Sequence, residues 1–153
     1  MKKILSFPII SKQTNEGSCG PNAMKHVILY KKGLNIPEWK LINMSSCSEK
    51  NGAPIDGLAR IAKNFNLSYE LMHNSSIFDL INSIDNKNPA ILLIQAWGNG
   101  HYVVANGYDN KIKKVFYYDP FDGKTKPIRY ENLDKRWHGL DMFERNHFGI
   151  FFK

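Results

Sequence analysis

The sequence predicts an α+β fold in which short helices come first and a mostly antiparallel sheet follows. Before Pro89, apolar residues recur with spacings of three and four between breaks that contain glycine and proline, which is typical of amphipathic helices. After Pro89, short apolar and β-branched runs alternate with polar turns, which is typical of strands. Helices and strands that segregate along a chain indicate the α+β class. The 153 residues, 42% hydrophobic and 23% charged, predict one domain over residues 1–153 with its own core.

The first predicted helix begins at Gly20 and Pro21, directly behind Cys19, and ends at Gly33. Proline suits the first helical turn because its missing N–H would have no partner there, and glycine adopts the left-handed conformation that ends helices. Further helical segments are predicted at 36–44, 55–65, 76–84 and 131–137. Strands are predicted at 90–97, 101–108, 113–119 and 147–152.

The N-terminal residues 1–13 combine two lysines with a short apolar patch, and we expect them to form a first strand or arm. They imitate a secretory signal, but Lys12 and Gln13 end the patch without the small residues of a cleavage site. We therefore expect a cytoplasmic protein, or one exported by a route that uses no classical signal peptide. No apolar run in the sequence approaches the length of a membrane span.

The net charge of +7 permits attraction to anionic partners, but its distribution argues against a dedicated nucleic-acid groove. The lysines occur as scattered short pairs, which is typical of a solvated surface, so no specific nucleic-acid partner is expected. A basic RNA-associated protein remains an alternative with only the charge to support it. A zinc site is not expected, because the two cysteines form no CxxC pair and the sequence contains no HxxxH pair. No cofactor is expected.

Cys19 follows a glycine- and serine-containing turn and precedes the first predicted helix. A thiol attacks as the thiolate, and the partial positive charge at a helix N-terminus lowers the pKa of a thiol placed there. Cysteine is also among the most buried residue types, so Cys19 considered alone favours a structural role. The choice between the two depends on whether the sequence supplies a base and an acid to go with it.

A cysteine nucleophile requires a histidine base, and His101 is the preferred candidate among five histidines. It follows the flexible segment Gly-Asn-Gly and opens a predicted strand. His26 lies about two turns into the first helix, too far along the axis to reach Cys19 easily. His73 has no obvious partner, and His138 and His147 lie in polar stretches where we expect solvated side chains.

An acid to orient the histidine is expected from the next strand. If residues 101–108 and 113–119 form a hairpin with a three-residue loop, His101 pairs with Asp119, whereas a four-residue loop pairs it with Pro120. Side chains directly opposite each other share a face of the sheet, with Cβ atoms about 5 Å apart. We therefore prefer Asp119 as the third member of a Cys–His–Asp triad. Three other residues compete with Asp119 for this role. Asp109 and Asp122 lie in turns, and Asn106 would point to the opposite face from His101 if the strand is regular.

The segment QTNEGSCGPNA, from Gln13 to Ala23, resembles the cysteine-bearing segment of papain-like cysteine peptidases, and most closely that of the double-glycine leader peptidases of bacteriocin exporters. The resemblance continues through residues 52–71, 89–120 and 130–139, and so covers nearly the whole chain. It implies a papain-like fold in which a helical N-terminal half packs on an antiparallel sheet. By matching motif it implies that Cys19 is the nucleophile, His101 the base, Asp119 the orienting acid and Gln13 the oxyanion donor.

The resemblance implies a cysteine peptidase that acts on a peptide or protein substrate. The sequence contains neither transporter segments nor a phosphate-binding loop, and Ser18 stands where the family commonly has aspartate, so we expect a stand-alone relative. The same residues could support deamidation or transamidation, and a peptide-binding module without turnover is a further alternative. We expect Cys47 to be a free thiol, because a bond to Cys19 would silence the nucleophile.

Overall fold

The structure is a computed structural model that describes residues 1–96 and 98–153. Trp97, the last residue of the predicted strand 90–97, lies outside the described residues. Within the described residues the chain forms five helices and a seven-stranded sheet in which every pairing with a defined register is antiparallel. The predicted α+β class is therefore confirmed.

The elements follow one another along the chain with a block of helices before most of the strands. The helices are α1 Cys19–Lys32, α2 Glu38–Ser45, α3 Ile55–Asn64, α4 Ile77–Asp85 and α5 Tyr130–Arg136. The strands are β1 Lys2–Ile4, β2 Tyr69–Met72, β3 Ala90–Ala96, β4 Asn99–Asp109, β5 Lys114–Asp119, β6 Lys124–Arg129 and β7 Gly149–Phe152. None of the helices within residues 1–96 and 98–153 is long and apolar enough to cross a membrane.

The chain forms two compact units. The first comprises the ranges Met1–Ser6, Tyr69–Tyr118 and Thr125–Lys153. The second comprises the ranges Phe7–Ser68 and Asp119–Lys124. The boundary between Tyr118 and Asp119 falls inside β5, so one strand contributes residues to both units. That residues 1–153 act as a single domain stays a prediction.

The helical unit is built from α1, α2 and α3, which pack on one another through apolar stripes. The stripe of α1 predicted from spacings of three and four is fully buried; its members are Ala23, Met24, Val27 and Ile28. Gly33 ends α1 in the left-handed conformation at φ 70°, as the sequence predicts. Gly57 lets α3 approach α2 closely, since a Cβ at this position would lie 2.1 Å from the carbonyl oxygen of Ser45.

The sheet unit has the strand order β2–β7–β3–β4–β5–β6, with β1 paired to the far end of β4. The apolar residues of β3 and β4 pack with α4 and α5 in one buried cluster that includes Leu80, Leu92, Val103 and Trp137. Residues 90–94 of β3 are all apolar and all buried, which is typical of a central strand. Strand β6 was not predicted, because its polar sequence contains a proline and lacks the apolar pattern of a strand.

The hairpin of β4 and β5 differs from both registers that the sequence predicted. Asp109 pairs with Lys114 across a four-residue loop, and Val104 pairs with Tyr118. A β-bulge at Asn106 inserts one extra residue into β4 between these pairs. The predicted pairing of His101 with Asp119 or Pro120 is therefore wrong, because the loop starts at residue 110 and the bulge changes the register again for the residues of β4 that precede Asn106.

Candidate active site

Cys19 is the first residue of α1, and its side chain is buried with 8% of its surface exposed. The first four N–H groups of an α-helix have no partner within the helix, so Cys19 stands at the positive end of the helix dipole. No acidic residue lies in the first turn of α1 to oppose that field. The predicted position of the cysteine at a helix start is thus confirmed, and the helix begins two residues before Pro21.

The loop that precedes Cys19 is held by its own polar side chains. The hydroxyl of Ser18 accepts a hydrogen bond from the Asn15 backbone N–H and donates one to the Asn15 carbonyl, both at 3.1 Å. The carboxamide Oδ1 of Asn15 accepts from the Gly17 N–H at 2.9 Å. These three bonds close a compact turn directly before the helix, so the backbone leading into Cys19 has little freedom.

Gly17 is required by a close backbone approach rather than by a special dihedral angle. A Cβ at Gly17 would lie 2.1 Å from the carbonyl oxygen of Ser48 and 2.7 Å from that of Glu49. These oxygens belong to a tight turn in which Ser48 and Gly52 exchange backbone hydrogen bonds. Any side chain at Gly17 would therefore displace either that turn or the loop that carries Cys19.

Glu38 of α2 forms hydrogen bonds to the loop before Cys19 and to α1, and the sequence analysis did not identify it. Its buried carboxylate accepts hydrogen bonds from the Thr14 N–H at 2.8 Å, from the Thr14 hydroxyl and from the Asn22 carboxamide at 2.8 Å. Asn22 also donates to the Ser11 carbonyl at 3.1 Å. The only sequence signal was an acid in the first turn of a helix, which the helix dipole alone would explain.

Gln13 lies six residues before Cys19 and is anchored at its backbone, where its N–H donates to the Pro120 carbonyl at 2.8 Å. Its side-chain Nε2 donates to the carbonyls of Asn15 at 2.8 Å and of Glu16 at 3.4 Å. The buried Oε1 has no hydrogen-bond partner among the described residues. The amide is therefore held mainly by one short bond to its own loop.

Asp119 is buried with 4% of its surface exposed and is the last residue of β5. Its Oδ1 accepts a hydrogen bond from the Phe121 N–H at 3.0 Å, and its carbonyl accepts from the Gly123 N–H at 2.9 Å. This local turn fixes the carboxylate group relative to the backbone. Because Gln13 bonds to Pro120, the structure brings the Gln13 segment against the segment that begins at Asp119.

His101 is buried with 7% of its surface exposed and lies near the start of β4, opposite Ile94 of β3. The preceding Gly100 faces the ring of His138, because a Cβ at Gly100 would lie 3.3 Å from its Cε1 and 3.4 Å from its Nε2. His138 is itself 5% exposed, its Nδ1 lies 2.6 Å from the Gly139 carbonyl, and its Nε2 has no partner among the described residues. The expectation that His138 is solvated is therefore wrong, since the sheet core encloses it.

The remaining histidines have structural contacts. His26 is fully buried; its Nδ1 lies 2.8 Å from the Asn22 carbonyl and its Nε2 accepts from the Ile10 N–H at 3.1 Å. Burial lowers the pKa of His26, so the ring is neutral with its proton on Nδ1. His147 is not solvated as expected, because it stacks on Trp137 and lies 3.3 Å from an Asp134 carboxylate oxygen.

Cys47 is a second thiol close to the loop of Cys19. Its Sγ lies 3.2 Å from the Gly17 carbonyl oxygen, to which it donates, and neither cysteine forms a disulfide in the part of the chain that the structure describes. Burial, reinforced by the nearby Cys19 thiol and the Glu38 carboxylate, raises the pKa of Cys47 to about 11. Cys47 is therefore a protonated, weakly nucleophilic thiol at neutral pH.

The four predicted site residues divide between the two units. Gln13, Cys19 and Asp119 belong to the helical unit, whereas His101 belongs to the sheet unit. Within residues 1–96 and 98–153, no group of three or more histidine, cysteine, aspartate or glutamate side chains is arranged to hold a metal ion.

The chain was compared with known families and solved structures. The Peptidase C39 family matches residues 7–146. A putative C39-like peptidase from Bacillus anthracis is 17% identical with a TM-score of 0.78, covering 100% of this chain and 98% of its own. The peptidase domain of Streptococcus ComA, a bifunctional ABC transporter involved in quorum sensing, is 19% identical with a TM-score of 0.72, covering 94% of this chain and 96% of its own.

A third similar structure is a double glycine motif protease from an AMS/PCAT transporter, solved in complex with the leader peptide. It is 18% identical with a TM-score of 0.71 and covers 98% of this chain and 94% of its own. A comparison with curated protein sequences finds no match. At these identities the solved structures establish the fold, and the family match over residues 7–146 confirms the resemblance that the sequence motifs indicated. The chain belongs to the Peptidase C39 family.

Proposed function

We propose that the protein is a cysteine peptidase in which Cys19 is the nucleophile, His101 the general base, Asp119 the orienting acid and Gln13 an oxyanion donor. The observation that carries the proposal is the position of Cys19 as the first, buried residue of α1 in a chain of the Peptidase C39 family. A helix N-terminus stabilises a thiolate. The neighbouring thiol of Cys47, with its pKa raised to about 11, is the poorer nucleophile of the two.

The topology of the sheet supports the pairing of His101 with Asp119, although they are not directly opposite. Strands β4 and β5 are antiparallel, and Tyr118 pairs with Val104. His101 belongs to β4 and Asp119 to β5, and these strands are neighbours along the chain. An imidazole and a carboxylate supplied by successive strands are suited to the roles of base and orienting acid.

In the proposed reaction, His101 accepts the proton of Cys19 and the sulfur attacks a peptide carbonyl. The backbone N–H of Cys19 and one N–H of the Gln13 carboxamide stabilise the oxyanion. The longer of the two side-chain bonds of Gln13, at 3.4 Å to the Glu16 carbonyl, is the one that this role would replace. His101 then protonates the leaving amine, and a water molecule, deprotonated by His101, releases the acyl group from sulfur.

A peptide or protein is the proposed substrate. The support is the similarity to peptidase domains, one of which was solved in complex with a leader peptide.

The test is cleavage of candidate leader-type peptides by the wild-type chain and by Cys19→Ala, with Cys47→Ala as the matched control. We expect Cys19→Ala to abolish cleavage and Cys47→Ala to retain it. An electrophilic peptide probe at pH 7 should label Cys19 in preference to Cys47, read by peptide mass spectrometry. Cleavage by Cys19→Ala, or equal labelling of the two thiols, would contradict the proposal.

The role of Asp119 is tested with Asp119→Asn. Loss of an orienting carboxylate in a related triad costs about 10⁴ in kcat. We expect a large loss of kcat with little change in KM, since Asp119 contacts no substrate in the proposal.

Ammonia release from glutamine-containing peptides without a new N-terminus would identify the alternative reaction, deamidation.

A further inference from the structure

A basic cavity of about 400 Å³ lies in the sheet unit beside α5, and none of the proposed active-site residues lines it. Three elements supply its wall: β5 through Lys114, β6 through Arg129 and α5 through Lys135 and Arg136. The carboxamide of Asn132 also faces the cavity, and the buried side chain of Ile128 is part of its apolar lining. None of the lining residues carries a carboxylate, so four cationic groups border one concave surface.

Two of the three carboxylates near the cavity are bonded to groups outside its lining. Asp134 of α5 lies 3.3 Å from His147, and Asp109, which is opposite Lys114 in the sheet, accepts from the backbone N–H of Lys111 at 3.0 Å. Glu131 lies 3.9 Å from Arg129, but both side chains are about two-thirds exposed, so this pair is weak. Among the described residues Lys114 and Lys135 form no ion pair, and the cavity keeps an excess of positive charge.

One of the cations is fixed in place. The Nε of Arg136 donates to the Gln95 carbonyl of β3 at 2.9 Å, which holds the guanidinium group against the sheet and leaves its two terminal nitrogens for other acceptors. Planar guanidinium groups bind phosphate oxygens through paired hydrogen bonds, and lysines supplement them as point charges. An arrangement of two arginines and two lysines therefore suits an anion that carries several oxygens on adjacent groups.

We propose that this cavity binds an anion with two or more adjacent phosphate groups. The ligand can be a free oligophosphate or the headgroup of a phosphorylated lipid, since both present the same chemistry. Four cations exceed what a single phosphate requires, and the concave shape favours a compact ligand over an extended nucleic-acid strand, which needs a groove with stacking aromatic residues. This proposal does not depend on the peptidase reaction.

The test is isothermal titration calorimetry of the full chain with tripolyphosphate and with orthophosphate at 150 mM salt. The key variant is Lys135→Glu, and its matched control is Lys40→Glu, which makes the same charge change on the exposed face of another helix. We expect tripolyphosphate to bind at least tenfold more tightly than orthophosphate. Lys135→Glu should weaken tripolyphosphate binding at least tenfold and Lys40→Glu less than twofold.

Thermal unfolding of each variant without ligand checks that it folds, and Arg129→Gln provides a second, milder change at the same wall. Equal weakening by Lys135→Glu and Lys40→Glu would overturn the proposal, since it would mean that net charge alone governs binding. Binding of a single-stranded oligonucleotide without binding of tripolyphosphate would also overturn it.

The two possible ligands, a free oligophosphate and a lipid headgroup, are distinguished with phosphatidylcholine vesicles that contain 5% phosphatidylinositol 4,5-bisphosphate. Vesicle binding that tripolyphosphate displaces supports the headgroup, and tripolyphosphate binding without vesicle binding supports the free ligand.

Discussion

The loop before Cys19 and the strand that carries His101 are held in opposite ways. The loop is fixed by side chains, namely the hydroxyl of Ser18, the carboxamide of Asn15 and the carboxylate of Glu38 acting on Thr14. His101 is fixed by the backbone, because β4 pairs with β3 over seven consecutive residues, Asn99–Ala105. Irregular backbone needs side-chain partners to satisfy its polar groups, whereas a strand satisfies them through its neighbours.

This difference predicts where single substitutions change the stability most strongly. A loop that depends on a few specific contacts loses its shape when one of them is removed, since no other element replaces it. A residue in a paired strand is supported by the whole ladder, and a change beside it is absorbed in part by neighbours. We therefore expect larger effects around Gly17 and Glu38 than around Gly100.

The largest effect is expected for Gly17→Ala. The new Cβ would lie 2.1 Å from the Ser48 carbonyl oxygen, so backbone must shift on one side. We expect a loss of about 4 kcal/mol or more in the free energy of unfolding, measured with urea. Gly33→Ala is a comparison with open space around the Cβ, where the cost comes from φ 70° alone. A loss for Gly17→Ala no larger than for Gly33→Ala would contradict the expectation that the close contact at Gly17 dominates the cost.

The second effect is expected for Glu38→Gln. The neutral amide keeps the shape of the side chain but offers one acceptor oxygen to the buried donors of Thr14 and Asn22. We expect a loss of about 1–3 kcal/mol in the free energy of unfolding, because at least one buried donor loses its partner. The exposed Glu49→Gln variant makes the same charge change and should cost less than about 0.5 kcal/mol.

A smaller effect is expected beside His101. In Gly100→Ala the Cβ would lie 3.3 Å from Cε1 of His138, a contact that a small shift of the ring relieves. We expect a loss of about 1 kcal/mol by urea unfolding. A double-mutant cycle with His138→Ala should give a non-zero coupling energy, and strict additivity would mean that the two residues do not share this contact.

The smallest expected effect is a change of the free energy of unfolding with pH. Burial lowers the pKa of His26 below its unfolded value of about 6.5, so the unfolded state binds more protons as pH falls through that value. The contribution of His26 to stability is therefore present above pH 6.5 and is lost as pH falls toward its folded pKa. Urea unfolding at pH 7.5 and 5.5 should show this loss. His26→Asn should reduce this pH dependence, and an unchanged dependence in that variant would contradict the assignment to His26.

Helix starts and stops were predictable because they depend on local chemistry. Pro21 lies in the first turn of α1 and Gly33 ends it, as expected, and the apolar stripe between them is buried. The hairpin register was not predictable, because the bulge at Asn106 and the loop from residue 110 depend on contacts beyond the two strands, among them the bond from Leu5 N–H to the Asn106 carbonyl. His138 was misread for the same reason, since a short polar stretch gives no sign that the sheet core will enclose it.

The α+β class and the place of Cys19 at a helix start could be read from the sequence, as could the residue types of the proposed triad, because each follows from short-range patterns of apolar spacing, turn residues and motif. Three features became visible only in the folded chain: Glu38 holds the loop before Cys19, Cys47 lies against Gly17, and the cations of β5, β6 and α5 border one cavity. These depend on residues far apart in the chain, and their proximity is set by how helices and strands pack rather than by any local preference.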